Sequence, residues 1–175
     1  RYYEHFVAEL GTVQLLFVTT AKEKGDQSTY DLIKNYLAKS KYQDKVTLIE
    51  CAELQGTKAT QINYGLAYLR QKYAVLPSLV LFDCDARISL SDFSNAQTWI
   101  DHNPEAVVYS FVPKSILHST TPLLVQSTVL HHTERMLAFE YAAAQLDGKF
   151  TYPMGATMIV LPELWEKITS IPEPI

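Results

Sequence analysis

The stretch TKATQINYGLAYLRQKYAVLPSLVLFDCDARIS, residues 57 to 89, predicts a helix that is followed by a buried strand. The helical part carries one apolar stripe at helical spacing: Ala59, Ile62, Leu66, Leu69 and Tyr73. Pro77 then marks the start of a short apolar run, which ends at two aspartates, Asp83 and Asp85. The stretch is therefore predicted to form a helix followed by a strand, and the strand ends at the two aspartates.

The same alternation of helix and strand extends upstream of this unit. We predict a helix over 2–10, a strand over 12–20, a helix over about 30–39 with Ser28 or Thr29 as its N-cap, and a strand over 45–51. Strands that alternate with helices indicate an α/β fold with a parallel sheet, and nearly continuous apolar strands are typical of such sheets.

The second half of the chain alternates less strictly. Helices are predicted over 91–103, 122–148 and 162–168, and strands over 106–113 and 156–161. We therefore expect a mixed sheet in this half.

Polar residues follow the three strands of the first half. They are Thr19 and Thr20, then Cys51 to Glu53, then Asp83 to Asp85. The carboxyl ends of parallel strands meet at one edge of a sheet, where ligands bind. The sequence thus predicts a ligand site at this edge.

Each candidate in this site has a functional and a structural interpretation. Asp83 and Asp85 offer two hard oxygen ligands, which suit Mg2+ or Mn2+ together with phosphate oxygens, or they cap a loop or the helix near Ser91. Lys58 begins a helix, where it either contacts a phosphate or ribose oxygen or is simply solvated. Asn63 either reaches into the site or bonds to the backbone. His131, His132 and Glu134 favour solvated side chains, because no third metal ligand is visible at suitable spacing.

Composition limits the classes of protein to which the chain can belong. The 175 residues fit one domain, and a net charge of −4 argues against a nucleic-acid partner. Two cysteines are too few for a disulfide framework and favour a reducing, cytoplasmic setting. The longest apolar runs are far shorter than a membrane span.

Three stretches, in order, carry a resemblance to a known family. VQLLFVTTAKEKGDQSTYDLIKNYL (13–37) looks like that family's second strand and following helix, and VLFDCDARIS (80–89) looks like its strand followed by D-x-D. TKATQINYGL is similar to the family's K-A-x-x-x-N-x-G-L segment at these positions: Lys58, Ala59, Asn63, Gly65 and Leu66. The chain resembles the inverting GT-A glycosyltransferases of the large family 2 from about residue 13 to 168. A weaker likeness, YPMGATMIVLPELWEKI (152–168), resembles the family's acceptor-side segment.

The resemblance implies a fold, an activity and a site. The fold would be a GT-A-like, mostly parallel central sheet flanked by helices. Residues 1–175 would form a single catalytic domain fragment, with 1–85 as its nucleotide-binding half and 86–175 as its acceptor-side half. The chain would transfer a sugar from a nucleotide-diphospho sugar to a glycan, lipid or other hydroxyl acceptor with inversion.

The resemblance also assigns residues. Mn2+ or Mg2+ would bind at Asp83 and Asp85. The nucleotide sugar would lie near four residues: Thr20, Lys58, Asn63 and Asp83. Met154 and Gly155 would form an acceptor-side wall, for which a tight turn is an equally good interpretation.

The chain also departs from the family pattern. The family's first strand is missing, Thr19 and Thr20 stand where an aspartate usually reads the base, and no E-D pair supplies a general base. We expect that base beyond Ile175 and a location in the cytoplasm, at a membrane face if flanking segments provide an anchor. The alternatives are a nucleotidyltransferase and a non-catalytic nucleotide-binding module.

Overall fold

The computed structural model describes residues 3–23, 27–83, 86–111, 122–145 and 157–167. These residues form two compact units. Unit 1 comprises Arg1–Leu76 together with Glu166–Ile175, and unit 2 comprises Pro77–Trp165.

Unit 1 is built on two parallel strands. Its elements are α1 (Glu4–Leu10), β1 (Leu15–Thr20), α2 (Thr29–Leu37), a 3-10 turn (Gln43–Lys45), β2 (Val46–Cys51) and α3 (Lys58–Lys72). The register of β1 and β2 runs in parallel from Leu15 opposite Val46 to Thr20 opposite Cys51. Helix α3 packs mainly on β1 and α2 mainly on β2, so the sheet is covered by the helix that connects its strands and by the helix that follows β2.

Local capping explains where α2 and α3 begin. Ser28 is the N-cap of α2, and its Oγ accepts a hydrogen bond from the backbone N–H of Asp31 at 3.1 Å. The start of α3 has a capping box, in which the hydroxyls of Thr57 and Thr60 each accept from a backbone N–H of the first turn. The prediction of Ser28 as a possible N-cap is thereby confirmed.

Unit 2 is built on an antiparallel sheet. Its elements are β3 (Leu79–Phe82), α4 (Leu90–His102), β4 (Val108–Ser110), α5 (Leu123–Gln145), β5 (Thr157–Val160) and the start of α6 (Pro162–Lys167). The strand order is β3-β5-β4, and β5 runs antiparallel to both neighbours. The core of unit 2 consists of Ala96 and Ile100 from α4 and Ile159 from β5. β5, the last strand among the described residues, lies at the centre of this sheet.

The fold is a mixed α/β structure, as the alternation of elements predicts. The parallel pairing of the first two strands and the presence of antiparallel pairing in the second half are confirmed. The third predicted strand, β3, finds its described partner in β5 and runs antiparallel to it. Within the described residues, no helix is both long enough and apolar enough to cross a membrane.

Candidate functional site

The parallel strands of unit 1 end together. Thr20 lies opposite Cys51, and the N–H of Ala21 donates to the Cys51 carbonyl at 3.0 Å, which continues the ladder by one residue. The buried Thr19 hydroxyl donates to the Ile49 carbonyl at 3.3 Å, so it is satisfied inside the sheet. The half-buried Thr20 hydroxyl instead accepts from the N–H of Lys22 at 3.3 Å, at the end of the strand. Of the two threonines, Thr20 is therefore the one whose hydroxyl lies at the end of the strands.

Helix α3 begins at the same edge. Lys58 is its first residue and is exposed. Helix α2 and helix α4 each carry an aspartate in their first turn, whereas α3 has no acidic residue there. Because the N-terminus of a helix carries partial positive charge, the start of α3 combines two sources of positive potential. This combination favours an anion.

Gly65 fixes how α3 lies on β1. A Cβ at Gly65 would approach Cγ2 of Val18 to 3.1 Å, a contact so tight that the neighbour would have to move by a few tenths of an ångström, so the helix and the strand meet closely here. Lys58 precedes Gly65 by seven residues, about two helical turns, and the two residues share the face that lies on β1. These seven residues span about 10 Å of helix, whereas the two residues from Val18 to Thr20 span about 7 Å of strand. This ideal geometry predicts that Lys58 lies near the level of the end of β1.

Asn63 lies on a different side of α3. It is two residues from Gly65, which corresponds to a rotation of about 160° away from the face on β1. Its side chain is half-buried. Helical geometry therefore turns Asn63 away from the face of α3 that carries Lys58 and Gly65.

Lys22 is a residue of this edge that the sequence did not indicate. Its Nζ donates a hydrogen bond to the carbonyl of Gly56, the residue before the N-cap of α3. The bond joins the segment after β1 to the segment after β2. A lysine two residues past a strand carries no motif, and only its distance from Gly56 in space reveals this contact.

Asp83 follows β3 directly and belongs to unit 2. It is half-buried, and its carbonyl accepts from the N–H of Ala86 at 3.0 Å. Asp85 lies outside the described residues, as do Met154 and Gly155. Within the described ranges, no cluster of three or more histidine, cysteine or acidic side chains is arranged to hold a metal ion.

The N-cap of α4 bears on one structural interpretation of the aspartates. This helix begins at Leu90 and its N-cap is Ser89, whose Oγ accepts from the N–H of Asp92 at 3.0 Å. The N-cap position of α4 is thus taken by Ser89, and Asp85 lies outside the described residues. The other structural interpretation of the aspartates, the capping of a loop, stays an alternative to a role in metal binding.

Other polar clusters and clefts lie elsewhere. His131 Nδ1 and Glu134 Oε2 are 3.9 Å apart on α5, with both side chains largely exposed, which agrees with solvated side chains. A cleft of about 460 Å³ is lined by residues at the end of α2, and one of about 150 Å³ lies between β2 and α3. Neither cleft is lined by the four described candidates: Thr20, Lys58, Asn63 and Asp83.

Tyr109 in the core of unit 2 has a perturbed acidity. Burial raises the pKa of its phenol above 10.0, and the negative charge of Asp92 adds to this rise. The ring packs edge-on against Trp99 and Phe111, with centroid distances of 5.4 and 5.0 Å. This environment identifies Tyr109 as a packing residue.

Comparisons of the chain with protein-family models, with curated proteins and with solved structures found no match.

Proposed function

We propose that the chain is the donor-binding part of a glycosyltransferase of GT-A architecture. It would transfer a sugar from a nucleotide-diphospho sugar to a hydroxyl acceptor with inversion, with a divalent cation at Asp83 and Asp85. In this proposal the architecture is GT-A-like, with a mostly parallel central sheet flanked by helices. The proposal rests on the resemblance of the three sequence stretches in order, and the geometry of unit 1 supports it.

The observation that carries the proposal is the placement of the TKATQINYGL segment on β1. Gly65 allows the close approach to Val18. The seven-residue spacing from Gly65 supports a position of Lys58 near the end of the strand. Lys58 and Gly65 match the family segment. Their spacing would put the lysine near the strand end, where it could contact a bound ligand. A phosphate at this edge would meet both the Lys58 ammonium and the positive end of α3.

The chemistry assigns separate roles to the chain's own residues. Lys58 would bind the nucleotide, and Thr20 would offer its hydroxyl to the ligand. Two aspartates at a strand end have the hard oxygen atoms that Mg2+ and Mn2+ prefer, so Asp83 and Asp85 fit such an ion. When bound, the ion would offset the negative charge of the departing diphosphate.

Inversion requires one in-line displacement. The bond between the anomeric carbon and the diphosphate oxygen breaks while the bond to the acceptor oxygen forms, and the proton of the acceptor hydroxyl passes to a general base. Within the described residues no side chain is assigned to that base. The proposal therefore concerns donor binding and leaving-group stabilisation.

The experiment measures nucleotide binding by calorimetry, with a nucleoside diphosphate as the probe. We expect tighter binding with Mn2+ than with a chelator, and weaker binding by Lys58→Ala. Lys72→Ala is the matched control, because Lys72 lies at the opposite end of α3. Equal affinity with and without Mn2+ would remove the cation from the proposal.

A second measurement addresses transfer in the full-length protein. Asp85→Ala should abolish sugar transfer while the far-UV circular dichroism spectrum stays unchanged. Retained transfer at the wild-type rate would exclude Asp85 from the mechanism. Binding of the nucleotide without transfer by the wild-type protein would favour the non-catalytic module instead.

A further inference from the structure

Two segments meet at the ligand edge of unit 1, and a lysine joins them. The segment after β1 begins with Ala21 and Lys22, and the segment after β2 runs from Ala52 to the N-cap Thr57. The Lys22 Nζ donates to the Gly56 carbonyl across 34 positions of the chain. This bond connects the two segments directly.

The lysine is held in place at its backbone. The N–H of Ala21 bonds to the Cys51 carbonyl at 3.0 Å, and the N–H of Lys22 bonds to the Thr20 hydroxyl at 3.3 Å. The backbone at the base of this side chain is thus fixed relative to β1 and β2. Only the rotamers of one side chain need to be ordered for Nζ to reach Gly56.

The acceptor is also held in place. Gly56 is buried, and a Cβ there would lie 2.8 Å from the Cβ of Thr60, so this backbone packs against the first turn of α3. The N–H of Thr57 bonds to the Thr60 hydroxyl at 2.8 Å. The Gly56 carbonyl therefore moves with the start of α3, and any force on it acts on the position of Lys58.

A second lysine makes the same kind of bond at the other end of the sheet. Lys45, which precedes β2, donates from Nζ to the carbonyl of Gly11, which precedes β1, at 3.1 Å. Each end of the parallel pair thus has one lysine–carbonyl bond between the segments that flank the strands. Lys45 lies away from Thr20 and Lys58. A variant of Lys45 therefore shows what losing such a lysine–carbonyl bond does to the sheet without changing the ligand edge.

We infer that Lys22 is a positioning residue that holds the start of α3 in the geometry that binds the nucleotide. This inference rests on the proposed function for its ligand, but the tether between the two segments does not. Lys22 acts through Gly56 and the start of α3. The affinity of the edge for nucleotide depends on the tether because Lys58 is ordered with it.

The test compares three variants of the whole domain. Lys22→Met keeps the aliphatic stem and removes the donor, Lys22→Arg keeps a donor, and Lys45→Met removes the bond at the opposite end. Amide hydrogen exchange in the ligand-free protein reports on Gln55 and Thr57, whose N–H groups bond to side chains in this segment. Calorimetry with a nucleoside diphosphate and Mn2+ reports on binding.

For Lys22→Met we expect faster exchange at Gln55 and Thr57 and weaker binding, each by roughly threefold to tenfold, the range of one modest hydrogen bond. Lys22→Arg should restore both quantities, and Lys45→Met should leave both at wild-type values. The melting temperature should be nearly unchanged in Lys22→Met, which separates a local tether from general destabilisation.

Each other outcome overturns part of the inference. Unchanged exchange in Lys22→Met shows that the tether does not order this segment. Weaker binding without faster exchange shows a direct contact with the phosphates in place of positioning. If the wild-type domain binds no nucleotide, the proposed function is refuted and the positioning role with it, while the exchange data still decide whether the tether exists.

Discussion

Gly65 provides the sharpest test of how α3 lies on β1. In Gly65→Ala the new Cβ would lie 3.1 Å from Cγ2 of Val18 and 3.7 Å from Cδ2 of Leu16. Alanine is favoured over glycine in a helix by about 1 kcal/mol, whereas overpacking a core contact costs about 1–3 kcal/mol. Because valine is stiff at χ1, the helix must shift to relieve the contact. We expect Gly65→Ala to lower the free energy of unfolding by about 1 kcal/mol.

A double-mutant cycle isolates the contact. Val18→Ala removes Cγ2, after which the nearest atom to the new Cβ is Leu16 Cδ2 at an ordinary van der Waals distance. In that background only the gain in helix propensity remains, so Gly65→Ala should raise the free energy of unfolding by about 1 kcal/mol. The coupling free energy between positions 18 and 65 is then about 2 kcal/mol.

Urea unfolding followed by far-UV circular dichroism measures all four members of the cycle. The change of sign between the two backgrounds is the informative result, since it does not depend on the absolute stability of the domain. Additive effects, within about 0.5 kcal/mol, would refute the close approach of α3 and β1. Additive effects would also remove the basis for expecting Lys58 near the end of β1.

Two further predictions concern unit 2. Ser89→Ala should cost about 1 kcal/mol of stability through loss of the α4 cap, whereas Ser91→Ala, which leaves the bond from Asp92 to Ser89 intact, should cost much less; equal effects in urea unfolding would contradict this cap. Because the pKa of Tyr109 is raised on folding, its contribution to stability is complete below about pH 10 and is lost as the pH rises through the folded value. Tyr109→Phe should therefore reduce the loss of stability above this pH, and Asp92→Asn should lower the pKa seen by NMR titration; an unchanged pKa would exclude Asp92 as a cause.

Local signals in the sequence predicted the elements well. Ser28 and the apolar positions of α2 were enough to place the helix, because capping and helical periodicity act within a few residues. The β1–β2 pairing also followed, since a short connection through one helix favours a parallel neighbour. Caps and periodicity act within a few residues, and the β1–β2 pairing spans a single strand–helix–strand connection.

The partner of β3 was beyond such signals. A run of four apolar residues, Leu79–Phe82, carries no mark of strand direction, and its partner Thr157–Val160 lies far along the chain. The antiparallel pairing depends on how α4 and the two strands close around Ala96 and Ile100. No local pattern encodes that closure.

Within the candidate site, too, some features followed from local sequence signals and others did not. The position of Lys58 at the start of α3 followed from the sequence, because helix N-termini have recognisable signals. The contact of Lys22 with Gly56 did not follow, because it depends on the spacing of two segments rather than on either one. The rotation of Asn63 away from Gly65 could have been predicted from helical geometry alone.

The late position of β5 in the chain has a consequence for synthesis on the ribosome. Leu79 pairs with Val160 and Phe82 with Thr157, so β3 emerges about 75 to 81 residues before its partner. At about 5–20 residues per second, the apolar strand Leu79–Phe82 waits roughly 4 to 16 seconds for β5. β1 needs only the 31 residues that separate Leu15 from Val46. Unit 1 can therefore pair its strands while β3 still waits for its described partner.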